Sequence, residues 1–580
     1  MPMRPNQQKS LRQCLAYEPR ELQFGTSGRR GEVVHLTQLE VFINAVAELE
    51  FLQSLSKAEG GIARGEEFFY ARDLRPSSSA YVAEQQGRGE LAQAIEQAIL
   101  YAGMIPVNEG MIPTPALTHY ALAQGKGSMM VTGSHIPFDR NGYKTNTSRG
   151  ELLKQHERPV NEKVKEVRQR FYEQPFDDSL FGADGLFKTG SRALSVERRE
   201  AASAYIQRYV DFFGKQALAG MRLLTYQHSA VGRDMLVDIL RALGAEVVIA
   251  GRSETFVPID TENMDAGQLA VIQKLYDEEA AQYGQFDAVV STDGDSDRPL
   301  ILGVEAETAT VHFFGGDLIG MLTAELLGAD AVVVPISSND GIDRGKLKDI
   351  IEAKTRIGSP YVIAGMEKAL ARGKKAVCGW EANGGFLTGS DIFLNGQVLT
   401  ALPTRDAVLP ILAVLFIARR DGAPLTEIFT RLPKRYSRAA LIKQFPRTLG
   451  LEIVKRFSPS DEAIQTAAFL SDDKIVFMNE NNKEIAADTV QKKALETIRQ
   501  ELEVFFSPEL GFGKIERINY VDGVRMYFSN GDLAHLRPSG NADELRIYAV
   551  ADTQGRADKI AAMAIAEPDG LLRRLAAYVR

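Results

Sequence analysis

One form recurs along this 580-residue chain. An apolar, β-branched stretch runs into a loop rich in glycine, serine and aspartate, and an amphipathic helical stretch follows. That alternation restricts the fold more than any other feature, because it argues for α/β domains with mixed sheets. MRLLTYQHSAVGRDMLVDILRALGAEVVIA (221–250) reads as strand, loop, helix and strand in a row. SMMVTGSHIP (128–137), AVVVPISSNDG (331–341) and KKAVCGWEANGG (374–385) each read as strand then loop. The stretch 525–552 breaks the form. It reads as a hairpin and an extended loop with a helix from about Gln554, so the C-terminal part is α+β.

At roughly 100–200 residues per domain the length suggests three to five domains. Boundaries are expected near 195, 308 and 435. The stretch 174–194 is loosely patterned, SVERREAASAYIQRYVDFFG (195–214) reads as a helix opening a second domain, and Pro433 ends a helix that proline cannot continue. The predicted domains are therefore 1–194, 195–308, 309–435 and 436–580. The polar segment 455–500 is given no role.

Net charge is −8 and the pI about 5.7, which gives no support to nucleic-acid binding. Two cysteines, Cys14 and Cys378, fit a reducing compartment and offer no zinc cluster. The N-terminal stretch MPMRPNQQKSLRQ lacks an apolar signal core. AVLPILAVLFIA (407–418) is interrupted by Pro410 and falls short of the roughly 20 apolar residues that span a bilayer, so it reads as a buried helix. A cytoplasmic protein with no membrane partner is expected.

The chemistry lies in five loops. Ser291-Thr292-Asp293-Gly294-Asp295-Ser296-Asp297-Arg298 follows FDAVV (286–290), which reads as a buried strand. Three close carboxylates repel one another unless a hard cation sits among them, and an oxygen-only set favours Mg²⁺ over zinc. Arg298 can hold a phosphate as a planar fork, so metal and phosphate meet in one loop. In TGSHIPFDRNGYK (132–144), Ser134 can act as nucleophile or phosphate carrier, or simply cap a helix. His135 is a candidate base by adjacency. Lys144 is a candidate for stabilising a transferring phosphoryl group or moving a proton. FGTSGRRG (24–31) combines small residues with Arg29 and Arg30. In GWEANGG (379–385), Glu381 and Asn383 are expected to point the same way from an extended loop and to suit vicinal sugar hydroxyls. In RPSGNADELR (537–546), Arg537, Ser539, Gly540 and Asn541 can form a nest of donors around a phosphate, with Arg546 returning from the next strand.

In this order the five loops resemble the α-D-phosphohexomutase superfamily, which includes phosphomannomutases, phosphoglucomutases and phosphoglucosamine mutases. The resemblance spans roughly 22–552. It implies four domains around a central cleft, three similar mixed α/β domains and a C-terminal α+β domain. It implies that Ser134 is the phosphoserine, and that Asp293, Asp295, Asp297 and a phosphoserine oxygen bind Mg²⁺. Lys144 matches the lysine beside the transferring phosphate, and Arg30 the arginine of the first loop, with Arg29 a possible substitute. Glu381 and Asn383 fall on the sugar loop, and Arg537, Ser539, Gly540 and Asn541 on the loop for the distal phosphate. Four positions depart from the family pattern: Ile136 for Asn, Trp380 for Gly, Asn383 for Ser, and Gly385 where several members carry His.

The activity so implied interconverts hexose 1-phosphate and hexose 6-phosphate, of mannose, glucose or both, through a phosphoserine and a 1,6-bisphosphate that also serves as activator. The protein would be a monomer or homodimer. An amino-sugar mutase, a hexose-bisphosphate synthase on the same fold and a silent sugar-phosphate binder are the alternatives. A Mg²⁺ phosphatase with an aspartate nucleophile is disfavoured, because its acidic loop would lie on the first strand.

Overall fold

A computed structural model describes residues 8–25, 27–262, 264–471, 474–480, 482–486, 488–539 and 543–580. It is a mixed α/β, multi-domain protein with two compact units interleaved along the chain. The first takes residues 1–261, 266–314 and 385–425, and the second takes 262–265, 315–384 and 426–580.

The first unit holds two mixed sheets. In one, the strand Glu67–Arg72 pairs in parallel with the edge strand Ile105–Asn108 and with Ser128–Val131. Ser128–Val131 then pairs antiparallel with Arg140–Thr147, which pairs antiparallel with Arg29–Glu32. The helices Gln38–Ser54, Leu91–Tyr101 and Lys154–Tyr172 supply one packed layer, where Phe42, Val46, Ile95 and Phe171 meet Tyr70, Met129 and Val131 of the sheet. Gln38–Ser54 is buried on nearly every side. Its two buried glutamates are therefore paired: Glu40 accepts from Arg168 and Tyr172, each at 2.7 Å, and Glu48 from Arg29 at 2.6 Å.

The other sheet of this unit runs Glu246–Arg252, Arg222–His228, Ala288–Thr292, Pro299–Val304 and Val311–Phe313. Its first three strands are parallel and the last two antiparallel, with the helix Arg233–Ala242 crossing between strands as the sequence pattern predicts. The acidic run leaves this sheet at the end of its central, fully buried strand Ala288–Thr292. The stretch read as a buried helix is one, Val408–Asp421. Pro410 falls in its first turn, where a missing N–H breaks no helical bond. Among the described residues no helix is long and apolar enough to cross a membrane.

In the second unit Ala331–Val333 and Val377–Trp380 pair in parallel. The C-terminal part is an antiparallel sheet of eight strands ending on Thr466–Ser471, Lys474–Met478 and Glu484–Ile485. Helices including Thr489–Phe505, Gln554–Ile565 and Leu571–Val579 share its core. The polar segment left without a role thus widens this sheet and adds the helix Thr489–Phe505. Asp488 and Gln491 cap that helix reciprocally, at 2.7 and 3.0 Å. Before Gln554 the strand that returns with Arg546, Glu544–Ala551, pairs between its neighbours Leu533–Pro538 and Tyr436–Lys443.

Candidate active site

Within the first unit the serine loop and the acidic loop close on each other. Ser134 follows the strand Ser128–Val131 and has φ +54°, a left-handed backbone that a serine adopts only when its surroundings impose it. Four hydrogen bonds do so. The Ser134 N–H donates to Thr132 Oγ1 at 2.8 Å, Arg75 Nη2 donates to the Ser134 carbonyl at 2.9 Å, and Arg75 Nη1 holds the carbonyls of Pro137 and Arg140 at 2.7 and 2.8 Å. Gly294 brings the acidic loop against this backbone. A Cβ there would lie 2.5 Å from the Ser134 carbonyl oxygen, so no other residue fits without moving one of the loops.

The result is a buried charge cluster. Ser134 Oγ donates to Asp293 Oδ2 at 2.9 Å and stands 3.4 Å from His135 Nδ1. Asp293 Oδ1 closes its own loop by accepting the N–H groups of Asp297 and Arg298 at 3.1 and 3.2 Å. Lys144 Nζ donates to Oδ2 of both Asp295 and Asp297 at 2.6 Å. Thr114 Oγ1 donates to Asp295 Oδ2 at 2.7 Å. Burial and the charges of Asp295 and Asp297 drive the Asp293 carboxyl well above its usual range. Burial works to raise Asp295 and Asp297 as well. Lys144 overrides it at Asp295, while Arg405, Lys144 and Arg298 override it at Asp297, and both stay low. Burial, reinforced by Arg298, takes His135 down to about 3, so its imidazole is neutral.

These carboxylates suit a cation. Candidate ligand atoms of Asp293, Asp295 and Asp297 lie within 4.8 Å of one another, and all three residues are buried. Oδ1 of Asp295 and Oδ1 of Asp297 are buried with no hydrogen-bond partner among the described residues, a costly arrangement that a hard divalent ion would relieve. The triad is thus a metal site in its chemistry. The guanidinium of Arg298 is only loosely engaged, with Nε 3.7 Å from Asp297 and 3.9 Å from Asp293.

The choice between Arg29 and Arg30 follows from the alternation of a strand. Arg29 turns into the core, bonded to Glu48, Asn161 and the Leu22 carbonyl at 2.6, 3.0 and 2.7 Å. Arg30 takes the other face, half-buried, where burial and the nearby Arg75 and Arg405 lower it to about 10 against the pull of Asp295.

The remaining predicted residues belong to the second unit. Glu381 and Asn383 are buried, but not on an extended loop. Gly384 N–H donates to the Glu381 carbonyl at 2.8 Å, so Asn383 sits inside a tight turn and the two side chains do not follow strand alternation. Arg537 and Arg546 face each other across adjacent antiparallel strands. Arg537 Nε donates to Asp522 at 3.1 Å, Arg546 Nη2 to Glu544 at 2.9 Å, and Ser539 N–H to the Glu544 carbonyl at 2.9 Å. Gly540 and Asn541 lie outside the described residues.

The sequence motifs do not include Arg75, Thr114, Arg405 or Asp73, whose Oδ2 accepts the Gly133 N–H of the serine loop at 3.2 Å. Asp73 and Arg75 had a usable signal, since charged residues directly follow the apolar strand Glu67–Arg72, the same strand-then-loop form as elsewhere. Thr114 and Arg405 reach the cluster from 181 and 108 residues away and carry no local signature.

Known proteins are similar to this chain in sequence and in fold. The models of phosphoglucomutase/phosphomannomutase match residues 21–171 as alpha/beta/alpha domain I, 315–436 as alpha/beta/alpha domain III and 478–567 as the C-terminal domain. A phosphomannomutase of Sinorhizobium fredii is 37% identical over 91% of this chain and 95% of its own length. One of Salmonella muenchen is 34% identical over 92% of both chains. A phosphoglucomutase/phosphomannomutase family protein of Burkholderia thailandensis, 16% identical, shares the fold with a TM-score of 0.60 over 96% of this chain and 97% of that one. The chain belongs to the α-D-phosphohexomutase superfamily. Its activity is that of a hexose-phosphate mutase, an intramolecular phosphotransferase.

Proposed function

We propose that the enzyme interconverts mannose 1-phosphate and mannose 6-phosphate and turns over the glucose phosphates at the same site. The observation that carries the chemistry is the Ser134 hydroxyl, 2.9 Å from Asp293 in a carboxylate cluster with two orphaned oxygens. The two relatives named phosphomannomutase, 37% and 34% identical, support mannose as the sugar. In this reading phosphorylated Ser134 gives its phosphoryl group to the free hydroxyl of a hexose phosphate. The Ser134 Oγ–P bond breaks, the sugar O–P bond forms, and the hydroxyl proton leaves to a base. The bisphosphate turns round and returns its other phosphoryl group to Ser134.

Asp293, Asp295 and Asp297, with an oxygen of the phosphoserine, would hold Mg²⁺, whose charge neutralises that of the moving group. Lys144, Arg298 and Arg30 add positive charge around Ser134, and neutral His135, 3.4 Å from Oγ, is the candidate base. Arg537, Ser539, Gly540, Asn541 and Arg546 grip the distal phosphate, and Glu381 and Asn383 the sugar hydroxyls. A hexose 1,6-bisphosphate activates by phosphorylating Ser134. The division into 1–194, 195–308, 309–435 and 436–580 forms part of the same proposal, the first segment supplying two of the five loops and the others one each.

The test is Mg²⁺-dependent turnover of mannose 1-phosphate and glucose 1-phosphate side by side, primed with hexose 1,6-bisphosphate. Higher kcat/KM for mannose 1-phosphate is expected. Turnover of neither, with Ser134 phosphorylated, would overturn the sugar assignment, and absence of phosphoserine would overturn the mechanism.

A further inference from the structure

No motif singled out Arg405, yet its guanidinium lies inside the charge cluster. Nη2 and Nε donate to Asp297 Oδ2 at 2.8 and 3.1 Å, and Lys144 donates to the same oxygen at 2.6 Å. With both cations on Oδ2, Asp297 Oδ1 stays buried without a hydrogen-bond partner among the described residues, with Arg298 Nε 3.7 Å away. A carboxylate free to rotate would present either oxygen to an ion. Donors fixed on one oxygen decide which is presented.

Arg405 is itself aimed from behind. It precedes Asp406 at the end of the strand Leu402–Asp406, so the two side chains leave on opposite faces. Asp406 is buried and accepts from Tyr205 Oη at 2.5 Å, from the Tyr209 hydroxyl, and from the Val408 N–H at 2.9 Å. Both tyrosines are buried and lie one turn apart on the helix Glu200–Phe213. Burial and the Asp406 charge hold both phenols well above their ordinary range, so they remain donors. On its other side the Arg405 stem lies across Gly385, where a Cβ would meet its Cδ and Cγ at 2.6 and 2.7 Å. The position at which this chain departs to glycine is thus the one that Arg405 covers.

We infer that Arg405, braced by Asp406 between Tyr205 and Tyr209, is a positioning residue that turns the Asp297 carboxylate toward the divalent cation. The inference rests on the reading of the aspartate triad as a metal site. Its sign is diagnostic. Removing a positive charge beside a dication would by itself tighten metal binding, whereas losing the support of a ligand typically weakens binding 10- to 100-fold.

The experiment is calorimetric titration of Mn²⁺ into the full-length protein without phosphosugar, for wild type, Arg405→Met, Arg405→Lys, Tyr209→Phe and Asp295→Asn. Arg405→Met should bind Mn²⁺ about 10- to 100-fold more weakly. Arg405→Lys, which keeps the charge but not the paired donors, should recover only part. Tyr209→Phe should weaken binding severalfold although Tyr209 touches no candidate ligand, and kcat/KM of these variants should recover as Mg²⁺ is raised. Unchanged or tighter Mn²⁺ binding by Arg405→Met would overturn the proposal. If that variant does not fold, wild-type affinity in both Arg405→Lys and Tyr209→Phe would overturn it equally. Equal binding by wild type and Asp295→Asn would instead remove the metal site, and this proposal with it.

Discussion

Gly294→Ala tests whether turnover depends on the close approach of the acidic loop to the serine loop. An alanine Cβ would lie 2.5 Å from the Ser134 carbonyl oxygen. Ordinary carbon–oxygen contact is about 3.4 Å, so the loops must part by about 0.9 Å. The acidic loop cannot swing the other way freely. The loop is pinned by the Val231 N–H to the Gly294 carbonyl at 2.9 Å and the Thr114 N–H to the Asp295 carbonyl at 3.1 Å. The strain should therefore fall on the spacing between Ser134 and Asp293, now bridged at 2.9 Å. A misplacement of about 1 Å at a reacting centre costs on the order of 10²-fold, or about 2.7 kcal/mol. In a coupled mutase assay at saturating Mg²⁺, kcat should fall by about that factor. KM for the phosphosugar and the thermal midpoint should change little. A kcat within threefold of wild type would refute the argument, because the loops would then have parted without consequence.

Ser134→Ala should abolish turnover to below about one part in 10³ while phosphosugar binding stays measurable by calorimetry; turnover near wild type would exclude the phosphoserine. Arg537→Ala removes a charge-assisted grip of about 1.5–3 kcal/mol, so KM should rise about 10- to 100-fold with kcat nearly constant; a loss confined to kcat would contradict a grip on the distal phosphate. Burial, with Arg208 nearby, holds His119 down to about 4, and its Nδ1 has no hydrogen-bond partner among the described residues. Its unfolded form takes up a proton near pH 6.5 while the folded form stays neutral, so stability is lost as pH falls from about 6.5 toward 4, by about 2.6 kcal/mol at pH 4.5. In thermal melts His119→Gln should lose less of its midpoint between pH 7 and 4.5 than wild type; identical losses would show that His119 does not contribute.

The parts legible in the sequence are those written in consecutive residues. Ser134, Asp293, Asp295, Asp297 and Lys144 each stand just after a buried strand or on its partner, so the local pattern located them before their contacts were known. Arg405 was not legible, because what matters is one long-range contact and two tyrosines almost 200 residues away. The helix Gln38–Ser54 was passed over for the opposite reason. It is buried nearly all round, which erases the one-sided apolar stripe that marks a surface helix. In the segment 455–500 the strands Thr466–Ser471 and Lys474–Met478 are partly exposed and their alternation is weak. The helix beside them was readable from Asp488 and Gln491 followed by Leu495, Ile498, Leu502 and Phe505 at helical spacing. The turn at Glu381 was mistaken because residues two apart share a face only in extended backbone.

The left-handed backbone of Ser134 bears on which hydroxyl amino acid can occupy that position. Serine and threonine offer the same nucleophile, and chemistry alone would accept either. At φ +54° a β-branched side chain crowds its own carbonyl, adding to a strain of about 1–2 kcal/mol that any L-residue already carries there. Threonine would therefore loosen the loop or rotate its oxygen away from Asp293. The selection of serine at this position is enforced by main-chain geometry before any phosphate arrives.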